Sequence, residues 1–313
     1  MEAVLETQGL TKRYGNVTAV DDLSLSVPKG QVFGLLGPNG SGKTTTLGMA
    51  LGLVAPTAGR VRLFGQDLKG HAQALLKRIG AIIETPAFYP YLTGRQNLQY
   101  FAGIAPNARR EEVDPLLEQV GLAGRGGHKF ATYSQGMKQR LGIAYALLGR
   151  PELVLLDEPT NGLDPAGMAE VRGLIRELNK DGRTVILSSH LLHEVELVCD
   201  SVAILSKGKL IASGNVHELL RQQGAVRLKT TDNARAEAML RRMEWVAGVR
   251  REDGHLVASG PTERSWELTR QLAQSEVYVT EMAPLQVSLE RYFLEVTGGE
   301  SQAAQAQEAQ HGS

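Results

Sequence analysis

The octet Gly37-Pro38-Asn39-Gly40-Ser41-Gly42-Lys43-Thr44 constrains this chain more than any other stretch of it. Its spacing, G-x-x-x-x-G-K-[ST], is that of a loop wrapped around the phosphates of a nucleotide. The flanks supply the context such a loop needs. Val32-Phe33-Gly34-Leu35-Leu36 is an apolar run that reads as a buried strand, and Thr44 to Leu51 reads as a helix. Glycines at 37, 40 and 42 let the backbone close on an anion with its N–H groups turned inward, and the N-terminus of the next helix adds partial positive charge. Lys43 is placed to reach the β- and γ-phosphates and the Thr44 hydroxyl to sit on Mg²⁺; Asn39, Ser41 and Thr45 belong to the same cradle. The alternative is a Gly-rich turn that merely spells the motif, and the strand before and helix after weigh against it.

A length of 313 residues suggests two domains, or one large domain with an appendage. Lys+Arg and Asp+Glu both number 34, so no global field favours nucleic acid or anionic lipid, and no nucleic-acid partner is expected. Charge, Gly or Pro breaks every apolar run before it could span a bilayer, and no charged-then-apolar leader opens the chain. The single Cys199 cannot form an internal disulfide, which suits the cytoplasm. It follows Val195 to Val198 on an apparent helix, so a buried structural role is expected over a reactive thiol.

The stretch from Val4 to about Leu220 is dense in strand and helix signals and carries every chemical motif. It opens on an antiparallel β-rich segment, Val4 to Val27, with turns at Gly15-Asn16 and Pro28-Lys29-Gly30. Strand signals at Arg60 to Phe64, a helix at His71 to Arg78 and a long mixed region from Glu84 to Lys129 follow. Then come strand Leu153 to Leu156, helix Ala166 to Lys180 and strand Thr184 to Leu187. Met168, Val171, Leu174, Ile175 and Leu178 recur at helical spacing as a core stripe. The domains are therefore drawn as 1–220, 221–297 and a tail, 298–313, rich in Gln, Ala and Gly and expected to be disordered. The middle part reads as strand 225–229, helix 233–244, strands 247–251 and 255–259, helix 263–274, strand 276–281 and helix 286–297, the order of a split β-α-β unit. Leu289, Tyr292, Phe293 and Val296 give its last helix an apolar face, expected to pack on that small sheet, although a membrane or partner could also take it.

Open α/β sheets bind ligands beyond the carboxyl ends of their strands, and three strands here end in useful residues. The first delivers the phosphate loop. The second, Leu153 to Leu156, ends in Asp157-Glu158-Pro159-Thr160: Asp157 is placed as an acidic partner of Mg²⁺, Glu158 as a general base for the attacking water. Adjacent carboxylates after an apolar strand are equally a solvated turn when read alone; the phosphate loop tips the reading towards catalysis. The third strand ends in Ser188-Ser189-His190. A lone histidine is ordinarily a packing residue, but this one shares a sheet edge with the other two sites and can donate to a γ-phosphate or sense its loss.

With these residues in view, the chain from about 4 to 220 resembles the ATP-binding subunit of an ATP-binding-cassette (ABC) transporter. Tyr133-Ser134-Gln135-Gly136-Met137 matches that family's signature segment in position, Asn161-Gly162-Leu163-Asp164-Pro165 its D-loop, His190 its switch histidine, and Tyr14 the aromatic that stacks on adenine. The resemblance implies an α/β fold: a P-loop cassette with a mixed sheet core, an antiparallel β subdomain and a helical signature subdomain, followed here by a small α+β C-terminal domain. It also implies a head-to-tail homodimer around two ATP with Mg²⁺, each nucleotide lying between one copy's phosphate loop and the other's signature segment. Ser134 is a good N-cap for a helix Gln135 to Leu148, so its hydroxyl and the free N–H groups would offer an anion site. Two departures stand out. Of the usual Leu-Ser-Gly-Gly-Gln signature only Ser134 and Gly136 are kept among its core positions, and Glu84 occupies a position where the family has a glutamine facing Mg²⁺ and water. Glutamate keeps an oxygen ligand but brings charge and loses the amide donor.

The aromatic span Thr85 to Thr93 lies where the family forms a groove for a helix of the membrane protein, though Phe88, Tyr89 and Tyr91 could simply cover local core. Ile79 to Glu84, Phe88-Tyr89-Pro90, Leu92 to Leu98 and Ser288 to Glu295 resemble the bacitracin-exporter type of cassette. That implies ATP hydrolysis at the cytoplasmic face of the cell membrane, driving a separate multi-span permease that exports an antibiotic, peptide or lipid-linked compound. A soluble ABC ATPase acting on ribosomes or DNA usually has paired cassettes, long coiled coils or metal-binding insertions, none of which is evident here. A low-turnover regulatory protein is disfavoured by the intact set of Lys43, Asp157, Glu158 and His190.

Overall fold

The computed structural model describes residues 2–84, 87–222, 224–285 and 288–296. Two compact units divide between Ser213 and Gly214. The first opens with two long strands, β1 (Ala3–Tyr14) and β2 (Val17–Pro28), paired antiparallel around the turn at Gly15 and Asn16. Strand β3 (Val32–Leu36) leads through the phosphate loop to α1 (Lys43–Ala50). Next come β4 (Ala58–Leu63), β5 (Gln66–Asp67), α2 (Leu68–Leu76) and β6 (Ile79–Ile82). The mixed region from Glu84 to Lys129 contains α3 (Gly94–Ala102) and α4 (Val113–Gln119), and the expected helix from Gln135 follows as α5 (Gln135–Ala146). The unit continues with β7 (Leu153–Leu156), α6 (Pro165–Lys180), β8 (Thr184–Ser189), α7 (Leu192–Val198), β9 (Ser201–Ser206) and β10 (Lys209–Asn215).

These strands form two sheets, one ordered β2-β1-β4-β5 and antiparallel, the other ordered β10-β9-β3-β8-β7-β6. In the second, β6, β7, β8, β3 and β9 run parallel. Every residue of β3, β7 and β8 is buried, as expected of parallel strands covered on both faces. Parallel pairing also brings the carboxyl ends of β3, β8 and β7 side by side, and this adjacency builds the site. The α6 stripe faces the core through Val171, Leu174, Ile175 and Leu178, with Met168 half-buried at its margin. Cys199 is buried at the end of α7, where burial and the neighbouring Asp200 push its thiol well up from the usual range.

Local chemistry fixes the helix starts. Thr93 and Gln96 form a reciprocal capping box at α3, and Asp164 caps α6 by accepting from the Gly167 N–H at 3.1 Å, with Pro165 in the first turn. Close contact fixes helix α5 on the sheet: a side chain at Gly80 of β6 would lie 1.7 Å from the Ala146 carbonyl oxygen. Around α3, Phe88 makes edge-on contacts with Phe101, Phe130 and Tyr145 and so does cover local core. Tyr91 and Tyr100 stay exposed beside it; Thr85 and Pro86 lie outside the described residues.

The second unit contains α8 (Val216–Gln222), β11 (Ala225–Thr230), α9 (Asn233–Leu240), β12 (Gly248–Glu252), β13 (His255–Ser259), α10 (Ser265–Gln274), β14 (Val279–Leu285) and α11 (Leu289–Val296). Its antiparallel sheet is ordered β12-β13-β11-β14, the topology of the expected split β-α-β unit. Several elements depart from the expected bounds. The helix after the first strand is shorter, α9 ending at Leu240, because Met243 and Val246 turn inward to the core instead of continuing the helix. The last strand starts later, because Glu276 adopts a left-handed backbone at φ 59° and Val277 is buried before pairing begins. On α11 Leu289 and Phe293 are buried and the helix lies against α8, while the side chain of Val296 and the segment 297–313 lie outside the described residues.

Candidate nucleotide site

The loop between β3 and α1 is shaped by its glycines. Gly42, at φ 102°, passes so close to β2 that a Cβ would lie 2.6 Å from the Ala19 carbonyl oxygen. Gly40, at φ 76°, faces open space, which is the side an anion can approach. No side chain caps α1 and no acidic residue lies in its first turn, so its leading N–H groups have no side-chain acceptor. Within this cradle the Ser41 hydroxyl is buried and has no hydrogen-bond partner. A donor buried without an acceptor costs free energy unless something polar meets it, and a phosphate oxygen fits that need.

Lys43 is 5% exposed. Its ammonium donates to the Gly37 and Pro38 carbonyl oxygens at 2.7 and 3.2 Å and lies 3.2 Å from Glu158 Oε1. The other Glu158 oxygen, Oε2, is 2.8 Å from His190 Nδ1. The glutamate thus has a partner on each oxygen, one from the loop after β3 and one from the end of β8. It is held there by a left-handed backbone, φ 48°.

Asp157 precedes it on β7 and is also nearly buried. Its Oδ2 accepts from the Thr44 hydroxyl at 2.9 Å and its Oδ1 from the Ser188 hydroxyl at 2.5 Å. Ser188 Oγ in turn accepts from the Glu158 N–H at 2.8 Å. Lys43, Thr44, Asp157, Glu158 and His190 are therefore brought together, and Ser188 joins them. Sequence reasoning quoted Ser188 but gave it no role; the only local signal is a hydroxyl interrupting an apolar strand.

Other sequence-predicted residues stand apart from this chain of hydrogen bonds. Asn39 and Gly40 line the open side of the loop, and Thr45 is half-buried on α1. Tyr14 ends β1 half-exposed, with the Lys12 ammonium 4.8 Å from its ring centroid. Ser134 is the N-cap of α5, its Oγ accepting from the Met137 N–H at 3.3 Å, and a Cβ at Gly136 would meet nothing within 4 Å. That exposed helix start keeps N–H groups available outward. Glu84 is exposed two residues beyond β6, and Glu158 lies two beyond its partner β7, where Ile82 pairs with Leu156. Both glutamates leave the sheet in a left-handed conformation, Glu84 at φ 61°.

Among the described residues no group of three or more His, Cys, Asp or Glu side chains could hold a metal ion by itself. The donors present are hard oxygens, Thr44 Oγ1 and Asp157 Oδ2. They suit a Mg²⁺ that completes its shell with phosphate and water.

Residues 20–161 match the family model described as ABC transporter. The bacitracin transport ATP-binding protein of Enterococcus faecalis is 40% identical over 96% of this chain and 98% of its own length. The linearmycin resistance ATP-binding protein of Bacillus subtilis is 34% identical over 94% and 98%. Among solved structures, an ATP-binding subunit of an ABC transporter superposes with a TM-score of 0.62 at 32% identity, covering 70% of this chain and 92% of that one. The cbiO1 component of an ABC transporter complex from Clostridium perfringens gives 0.64 at 27%, covering 70% and 91%.

Proposed function

The chain belongs to the ABC transporter family as an ATP-binding subunit, and on that premise we propose that it hydrolyses ATP to drive a separate membrane permease. The observation that carries this reading is the convergence of Lys43, Thr44, Asp157, Glu158 and His190 at one edge of a parallel sheet, linked by short polar contacts.

Lys43 and the uncapped start of α1, with Ser41, bind the phosphates. Thr44 and Asp157 would hold Mg²⁺, and Glu84 would face the same ion. When bound, that ion neutralises charge developing on the transferred phosphoryl group. As nucleotide enters, Lys43 exchanges Glu158 Oε1 for phosphate oxygens, and the freed oxygen accepts a proton from the attacking water. His190 steadies the glutamate through Nδ1. With that nitrogen donating to Glu158, the ring donates to a γ-phosphate through Nε2 only as the doubly protonated imidazolium. Tyr14 offers its face to adenine.

Ser134 and Gly136 present the N-terminus of α5 as a second anion site. One copy uses Lys43 for its own nucleotide, so this second site completes a partner's pocket in a head-to-tail homodimer. No helix of the described residues is long and apolar enough to cross a membrane, in keeping with a separate permease that anchors this subunit at the cytoplasmic face. The relatives named for bacitracin transport and linearmycin resistance favour export of an antibiotic, peptide or lipid-linked compound.

Glu158→Gln tests the chemistry. The variant should bind ATP, lose on the order of 10²–10⁴ in turnover and accumulate an ATP-bound dimer on size exclusion. Ordinary turnover would remove Glu158 as the base. Glu84→Ala should reduce Mg²⁺-dependent hydrolysis or its coupling to transport, and an unchanged protein rejects the Mg²⁺ assignment. Recovery of a stoichiometric multi-span protein with this chain from detergent-solubilised membranes tests the permease.

A further inference from the structure

Strand β8 is buried along its whole length, and a hydroxyl in such a strand is costly unless its hydrogen bonds are made. Ser189 meets that demand within its own turn, accepting from the Leu191 N–H at 2.9 Å. Ser188, fully buried, does something different: it reaches across to the neighbouring strand end and touches two consecutive residues there. Its hydroxyl proton goes to Asp157 Oδ1 and its lone pair takes the Glu158 N–H.

We propose that Ser188 is a positioning residue of the hydrolytic site, orienting Asp157 and Glu158 together. The inference rests on the ATPase reading above. With Oδ1 tied to Ser188, rotation of the Asp157 carboxylate is blocked and Oδ2 stays aimed at Thr44, the other residue that would hold the metal. With its N–H tied to the same hydroxyl, the left-handed Glu158 backbone is held, and that backbone sets the side chain between Lys43 and His190. A left-handed non-glycine residue persists only where its surroundings over-determine it, and the Ser188 bond supplies part of that constraint. One hydroxyl thereby couples the metal ligand to the base: neither can shift without disturbing the other's anchor. Serine is suited to this because a single small group donates and accepts at once.

The test compares full-length wild type with Ser188→Ala, Ser188→Cys and Ser188→Thr in steady-state hydrolysis, with Mg²⁺ and ATP varied separately. The same proteins are compared in direct binding of Mn²⁺, used in place of Mg²⁺, to the nucleotide-bound protein by paramagnetic resonance. There Ser188→Ala should weaken Mn²⁺ binding, and unchanged binding overturns the proposal. Ser188→Ala leaves Asp157 Oδ1 without its donor and the Glu158 N–H without its acceptor. We expect kcat at saturating Mg²⁺ to fall about tenfold and the Mg²⁺ half-saturation to rise about threefold or more, while KM for ATP stays within about twofold, because the phosphate cradle is untouched. Ser188→Thr, which keeps the hydroxyl, should hold all three values near wild type. If the alanine variant does not fold, the same values are read on Ser188→Cys, whose thiol is a weak donor of similar size. Wild-type kcat and Mg²⁺ dependence in the alanine or cysteine variant overturn the proposal, as does a threonine variant that is folded and equally defective. A wild type that does not hydrolyse ATP, or a Glu158→Gln variant that turns over normally, overturns the ATPase reading instead.

Discussion

In the larger unit a lysine, an aspartate and two serines are buried within one sheet edge, at Lys43, Asp157, Ser41 and Ser188. In the smaller unit the buried set among the described residues is apolar apart from Thr230, whose hydroxyl is satisfied by Asn233 at 2.9 Å. Its charged pairs, such as Arg241 and Arg251 on Glu237 or Arg264 on Glu267, lie at the surface, where they contribute little. The smaller unit is organised the way a domain selected for folding is organised. The larger one tolerates costly burial of charge in a single place, and that place has a donor, Ser41 Oγ, with no acceptor in the protein. The buried charge thus gathers at the candidate nucleotide site.

The sharpest way to break this contrast is Lys43→Ala. It removes a charge-assisted phosphate contact and leaves Glu158 without its cation, so nucleotide affinity should drop by about 10- to 100-fold in a fluorescent-nucleotide titration. Unchanged affinity would mean that the buried charge is structural after all. The counterpart in the smaller unit is Leu268→Ala, where a fully buried core residue is truncated. It should cost about 2–5 kcal/mol of that unit's stability by denaturant unfolding and leave ATP affinity as it was. A parallel loss of ATP affinity would show that the two units are energetically one.

The smallest effect is acid sensitivity. Hydrogen bonds from Arg241 and Arg251 hold the Glu237 carboxyl below its usual range; Arg264 does the same for Glu267 and His255 for Glu281. In the larger unit Arg78 lowers Glu152 similarly. A carboxyl with a lowered folded-state value contributes stability that is present above the ordinary carboxylate range and is lost as pH falls through the folded value. Denaturation followed below neutral pH should therefore show a shallow loss of stability in the acid range, smaller still in Glu237→Gln. Identical acid profiles for the two proteins would show that these pairs contribute nothing.

The same contrast explains what could be read from sequence. The smaller unit's order of strands and helices along the chain followed from periodicity and turn residues, whereas its pairing of β11 with β13 and with the distant β14 carries no local signal. In the larger unit Gly37 to Thr44, Leu153 to Leu156 and Asp157-Glu158 carry local signals strong enough to place. The contacts of Lys43 with Glu158 and of Ser188 with Asp157 carry none, since they depend on β8 lying between β3 and β7, an arrangement fixed by non-local strand pairing. The region from Glu84 to Lys129 stayed unresolved for a different reason: short helices such as α3 and α4, broken by irregular turns, give periodicity too little length to register.

Helix α5 is seated against β6 without clearance where Gly80 meets Ala146, while its other end, at Ser134, stands free in solvent. Between those ends Leu141, Ile143 and Ala144 are buried and Arg140 donates to the Val120 and Gly121 carbonyl oxygens, so the helix moves together with what packs on it. Twelve helical residues span about 18 Å, so a tilt of about 10° about the seated end carries the serine about 3 Å sideways, roughly the length of one hydrogen bond. A movement too small to disturb the packing of the sheet is thus large enough, at the far end, to make or break a contact.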